Sequence, residues 1–124
     1  MPIGIKHIEI WVSDLNKSLS FYESLFSMIG WNKVSENGFK SGDTKIYFKQ
    51  SDKVKTDTLG PRHICFWADS REMVDKVGDF LKTQNAKVVR GPIEMVGEKY
   101  SEDYYTIDFY DPDDFIIEVT NISK

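Results

Sequence analysis

The chain repeats itself. His7-Ile-Glu-Ile-Trp11-Val-Ser-Asp returns 56 residues later as His63-Ile-Cys-Phe-Trp67-Ala-Asp-Ser, with His-Ile opening both copies and Trp four residues on. A unit of roughly 55 residues buries too little apolar surface to be stable alone. The two copies are therefore expected to pack as one pseudo-symmetric domain spanning 1–124, with a first module over about 3–50, a linker over 51–60 and a second module over about 61–121.

Each copy runs into an amphipathic stretch and then into further β-prone segments. Leu15, Leu19, Tyr22 and Phe26 recur at helical spacing within 15–29, and Met73, Val77, Phe80 and Leu81 do so in the second half. Asp14 and Ser70 precede these stretches and are the expected N-caps. Short strands are predicted at 31–35 and 87–90. Each half then closes with a pair: 38–41 and 45–50 around Gly42-Asp43, and 104–110 and 115–121 around Asp111-Pro112-Asp113-Asp114. Residues 91–103 show no period and read as a loop. The order is βαβββ, linker, βαβββ, an α+β chain.

Side chains alternate across a strand, so residues two apart share a face. His7, Glu9 and Trp11 lie opposite Ile8, Ile10 and Val12; His63, Cys65 and Trp67 lie opposite Ile64, Phe66 and Ala68; Glu118 lies opposite Ile117 and Val119. One face of each strand is thus apolar enough to sit under a helix, and the other carries His, Glu or Trp. The polar faces are either solvated, as one side of a helix-covered sheet can be, or they line a cleft that gathers His7, His63 and Glu118. Two imidazoles and a carboxylate with open positions would suit a divalent ion such as Fe, Mn, Ni, Co or Zn.

Composition narrows the function classes. Sixteen basic against twenty acidic residues give a net charge of −4, so no nucleic-acid partner is expected. No apolar run approaches the ~18 residues of a membrane span, and the N-terminus lacks a signal-peptide core, so a cytoplasmic protein without a membrane partner is expected. The single cysteine, Cys65, rules out an intramolecular disulfide framework. Aromatic residues reach 14%, a supply suited either to an aromatic core or to the walls of a small-ligand pocket. No nucleophile elbow, phosphate-binding glycine loop or zinc-type cysteine cluster is present.

The sequence resembles the vicinal oxygen chelate superfamily, which groups glyoxalases, bleomycin-resistance proteins and extradiol dioxygenases. The carrying segments are His7-Ile-Glu-Ile-Trp-Val-Ser-Asp-Leu with Ser18-Leu-Ser-Phe21-Tyr22, then Gly60-Pro-Arg-His63-Ile-Cys-Phe, then Asp111-Pro-Asp-Asp-Phe-Ile-Ile-Glu118; together they cover about 3–121. The resemblance implies paired βαβββ modules forming a cup-shaped mixed sheet around a metal, with the helices outside. It implies metal ligands His7, His63 and Glu118, and vicinal substrate oxygens bound on the ion. The fourth glyoxalase position falls on Tyr47 or Phe48, neither a carboxylate, and Trp11 stands where glyoxalase I has a glutathione-binding arginine. Both departures turn the expectation away from glutathione itself.

The resulting expectation is a glyoxalase-like, metal-dependent isomerase or lyase acting on a small vicinally oxygenated substrate. Glu118 and Glu9 are the candidate proton carriers, and Trp11, Trp67, Tyr47 and Tyr105 the candidate substrate contacts. One of Tyr104 and Tyr105 should face the cleft and the other the core. Arg62, Arg71 and Arg90 are expected on the surface. The alternatives are a metal-free drug-binding protein of the bleomycin-resistance type, and a fosfomycin-type thiol transferase or dioxygenase. Small members of this superfamily pair, so a homodimer is expected.

Overall fold

The computed structural model describes residues 4–52, 63–96 and 104–122. The chain divides into two compact units, Met1–Asp57 and Thr58–Lys124, and each has the expected βαβββ order. Most of the predicted linker, 53–60, and the end of the predicted loop, 97–103, lie outside the described residues, as does Arg62. Among the described residues no helix is long and apolar enough to cross a membrane.

The first unit runs β1 (His7–Val12), α1 (Leu15–Met28), β2 (Asn32–Ser35), β3 (Gly38–Ser41) and β4 (Thr44–Gln50). Its sheet order is β1-β4-β3-β2. The β1–β4 pairing is parallel, and the others are antiparallel. Asp14 caps α1 as predicted, its carboxylate accepting the Lys17 N–H at 3.1 Å. The buried stripe of α1 is Ser18, Phe21, Tyr22, Leu25 and Phe26, so it is rotated from the predicted Leu15–Leu19 line, and those two leucines are half-buried. The aromatic rings decide the rotation. Tyr22 lies 4.5 Å from Phe48, Phe26 lies 5.0 Å from Phe39, and Trp31 stacks on Phe26 at 5.2 Å. Large aromatic faces bury more area than leucine and set the helix contact. The Ser18 hydroxyl is buried in this layer with no hydrogen-bond partner among the described residues.

The second unit repeats the plan with β5 (His63–Trp67), α2 (Arg71–Thr83), β6 (Val88–Met95), β7 (Tyr104–Tyr110) and β8 (Ile116–Ile122), in the order β5-β8-β7-β6. Ser70 caps α2, its hydroxyl accepting the Met73 N–H at 3.1 Å. Val74, Val77, Phe80 and Leu81 are buried with Phe66, Ile107, Phe109, Ile117 and Val119. The β7–β8 turn is pinned by Asp111, whose carboxylate accepts the N–H groups of Asp113 and Phe115 at 2.9 and 2.8 Å. One expectation fails here: β6 continues to Met95 through what reads as loop. Its pairing with β7 shifts register on both sides of Arg90, and such bulges erase the sequence period. Gly91, at φ +96°, makes this possible, since a side chain there would strike the Thr106 carbonyl.

Candidate functional site

The register fixes which side chains share the open face of each sheet. In the second unit Cys65 pairs with Glu118, and Glu118 pairs with Asp108. The adjoining rungs are His63–Ile116–Tyr110 and Trp67–Thr120–Thr106. The opposite face, with Phe66, Ile117, Val119 and Phe109, forms the core under α2. Strand alternation therefore carries His63 and Glu118 to one side, as predicted.

On that face His63 Nε2 lies 3.1 Å from Glu118 Oε1. The Thr106 hydroxyl, fully buried, donates to the other Glu118 oxygen at 2.6 Å. Glu118 is itself buried while His63 is exposed, so the pair has a supported carboxylate and an accessible imidazole. Asp108, also buried, forms an ion pair with Arg90 Nε. Burial pushes the Asp108 carboxyl up from the usual carboxylate range, and the Arg90 bond opposes the shift. Cys65 sits beside Glu118; desolvation first, then the neighbouring carboxylate, push its thiol up to about 12. At neutral pH it is a thiol rather than a thiolate. A cavity of about 350 Å³ opens over Glu118 and Thr120, walled by Trp67, Tyr104 and Ile122 with Cys65 at its floor.

One placement corrects the sequence reading. Tyr105 lies on the helix side of β7, where its hydroxyl donates to Asp75 of α2 at 2.5 Å and its ring lies under the Arg71 guanidinium at 5.2 Å. The cavity tyrosine is Tyr104, because alternation puts it with Thr106 and Asp108. Arg90 is exposed, as expected, and its Nε reaches Asp108, the rung partner of Glu118. Arg71 bonds Glu94 at 2.9 Å at the start of α2.

The first unit presents its own polar face. The rungs are His7–Lys45–Lys40, Glu9–Tyr47–Gly38 and Trp11–Lys49. The open choice between Tyr47 and Phe48 resolves to Tyr47, since Phe48 is fully buried in the core. The Tyr47 ring meets the His7 ring edge-on at 5.9 Å. It lies over Gly38, where an added Cβ would come within 2.7 Å of it. The Trp11 indole N–H donates to a Glu9 oxygen at 2.8 Å and so fixes which way that carboxylate faces.

The chemistry of the His63–Glu118 pair fits part of a divalent metal site. An imidazole nitrogen and a carboxylate oxygen bound to one ion at about 2.1 Å each would stand roughly 3 Å apart. A hydroxyl on the second carboxylate oxygen is the usual outer support of such a ligand. Within this unit, among the described residues, no third His, Cys, Asp or Glu converges with them in a metal-holding group.

The sequence over residues 4–119 matches the family model of the glyoxalase/bleomycin resistance protein/dioxygenase superfamily. The chain belongs to this superfamily. Among solved structures, this glyoxalase-superfamily chain is similar to a candidate glyoxalase from Bacillus halodurans, at 27% identity over 94% of both chains with a TM-score of 0.74. A glyoxalase/bleomycin resistance protein from Albidiferax ferrireducens T118 shares its fold at 20% identity, covering 94% of this chain and 98% of that one, with a TM-score of 0.75. A superfamily enzyme from Burkholderia phytofirmans PsJN does so at 19% identity over 95% and 98%, with a TM-score of 0.72.

Thr106, Asp108 and Arg90 were not singled out as site residues by the sequence reading. The signal for two of them lies in the hairpin. Counting outward from the Asp111 turn pairs Tyr110 with Ile116, Asp108 with Glu118 and Thr106 with Thr120, which puts both residues on the Glu118 face. Arg90 follows a bulge and has no such count.

Proposed function

We propose that the protein is a metal-dependent enzyme of the glyoxalase-like isomerase or lyase type, acting on a small molecule with vicinal oxygens. His63 and Glu118 would be two of the metal ligands and His7 the third. The observation that carries this reading is the His63–Glu118 pair with Thr106 on the second carboxylate oxygen. A divalent ion there, whether Fe, Mn, Ni, Co or Zn, would polarise the two substrate oxygens and stabilise an oxyanion.

The chain's own groups divide the remaining work. Thr106 holds Glu118 in one orientation, so the carboxylate needs no reordering when it accepts or returns a proton. Glu9, oriented by Trp11, is the second proton carrier. The cavity walled by Trp67, Tyr104 and Ile122 takes the apolar part of the substrate, and Trp11 and Tyr47 are contacts from the first module. The single thiol suits a reducing cytoplasm. A homodimer completes the proposal, covering the half-exposed Val88, Val89 and Ile93 of edge strand β6.

The test is turnover of a panel of hemithioacetals, epoxides and vicinal diols by chelator-treated protein reloaded with each ion in turn. Ion-dependent turnover that falls at least 100-fold in Glu118→Gln supports the reading. A second reading, a metal-free binder, draws on the aromatic cavity. Under it the chelated protein binds apolar ligands with unchanged affinity in Glu118→Gln and turns nothing over with any ion.

A further inference from the structure

We propose that the first module carries an anion-binding subsite built on the cross-strand pair Lys40 and Lys45. Its ligand class is a small carboxylate, phosphate or phosphonate group. This goes beyond the metal-enzyme reading and does not depend on it.

Lys40 and Lys45 face each other directly across the antiparallel β3–β4 pair, and Lys45 is in turn the parallel-register partner of His7. Their backbones sit beside the fully packed rung Phe39–Ile46, and both lysines are half-buried. Directly paired residues leave a sheet on the same face, so both lysine side chains start from one side of it. Like charges directly opposite on neighbouring strands repel each other. Among the described residues neither lysine has a carboxylate within ion-pair distance. The carboxylate on the next rung, Glu9, is held by Trp11.

The second module shows that the fold does not demand this arrangement. The equivalent rung there is His63–Ile116–Tyr110, with an aliphatic and an aromatic residue in place of the two ammonium groups. The lysine pair is specific to the first module, and a compact anion between the two side chains would be attracted by both. The net charge of −4 makes a polyanion such as nucleic acid a poor occupant, whereas a compact anion feels the local pair.

The experiment uses full-length, chelator-treated protein, so that no metal competes for the anion. Inorganic phosphate and malonate are titrated by calorimetry and by thermal shift into wild type, Lys40→Gln/Lys45→Gln, and Lys33→Gln/Lys76→Gln as a charge-matched control. The expected result is saturable one-site binding in wild type and control and at least a tenfold weakening in the Lys40/Lys45 variant. That variant's Tm without anion should stay close to wild type, because neither lysine has an ion-pair partner among the described residues to lose. Absent or non-saturable binding in wild type, equal binding in all three proteins, or equal loss in both variants would each overturn the proposal. Loss of metal-dependent turnover would not, since binding is read here without metal.

Discussion

At the rung where the first module has Glu9, Tyr47 and Gly38, the second has Cys65, Glu118 and Asp108. The backbones are equivalent and the chemistry is not. In the second module a buried carboxylate is supported by Thr106 and bonded to His63. In the first, a tyrosine ring fills the space, glycine vacates the neighbouring position to admit it, and the carboxylate has moved one strand over to Glu9. The outer amides keep the symmetry: Gln50 accepts the Leu15 N–H at 3.0 Å, and Asn121 donates to the Ala68 carbonyl at 3.0 Å. The equivalent strand ends thus keep an amide that ties back toward the start of each helical segment, while the open faces differ, one basic and aromatic and one acidic with a cavity.

The largest expected effect breaks that asymmetry. Glu118→Ala should lower metal affinity by more than about 100-fold, the loss of one proposed charged ligand, whereas Tyr47→Phe at the equivalent position should change it by less than about threefold, since Tyr47 brings no carboxylate. Equal losses in titrations with Zn and Mn would erase the distinction between the modules. Next comes the backbone approach that lets β6 pass the site. Gly91→Ala should cost about 2–3 kcal/mol, from positive φ and the clash with Thr106, read by denaturant unfolding. Thr106→Val should then weaken metal binding about tenfold while leaving stability within about 1–2 kcal/mol of wild type, because it removes the hydroxyl's contacts to Glu118 and to the Val119 carbonyl but keeps the side-chain shape.

Two smaller effects sharpen the picture. The Cys65 thiol has a raised pKa, so at pH 8 it holds far less thiolate than an ordinary cysteine, and its alkylation should be slow and still rising steeply at pH 10. Glu118→Gln removes a nearby negative charge, lowers that pKa and should speed alkylation at pH 8. An unchanged rate would separate Cys65 from the Glu118 network. Ser18→Ala should be neutral or stabilising by up to about 1 kcal/mol, because it deletes a buried hydroxyl without a partner among the described residues. Destabilisation in thermal melts would contradict the packing of α1.

The repeat and the strand period made the frame legible before any coordinates. They placed both N-caps, the order of elements and the shared face of His63, Cys65 and Trp67, because a two-residue period and a capping residue are local signals. What escaped depends on register. Tyr105 and Tyr104 differ only in which face they take, and only a count from the Asp111 turn separates them. Arg90 and the extension of β6 follow bulges, where the count is lost. The rotation of α1 arose from packing among Tyr22, Phe26, Phe39 and Phe48, which join three different elements.

The central claim is the proposal that His63 and Glu118 are metal ligands, whereas Tyr47, at the position equivalent to Glu118, is not. Metal content per chain by mass spectrometry, on tag-free protein offered each divalent ion in turn, tests it most directly in wild type, His63→Ala, Glu118→Ala and Tyr47→Phe. The account predicts near-stoichiometric metal in wild type and Tyr47→Phe and almost none in the other two, with all four folded by circular dichroism. Folded wild type that takes up no ion under any condition, or that keeps its metal after either substitution in the second module, would contradict it.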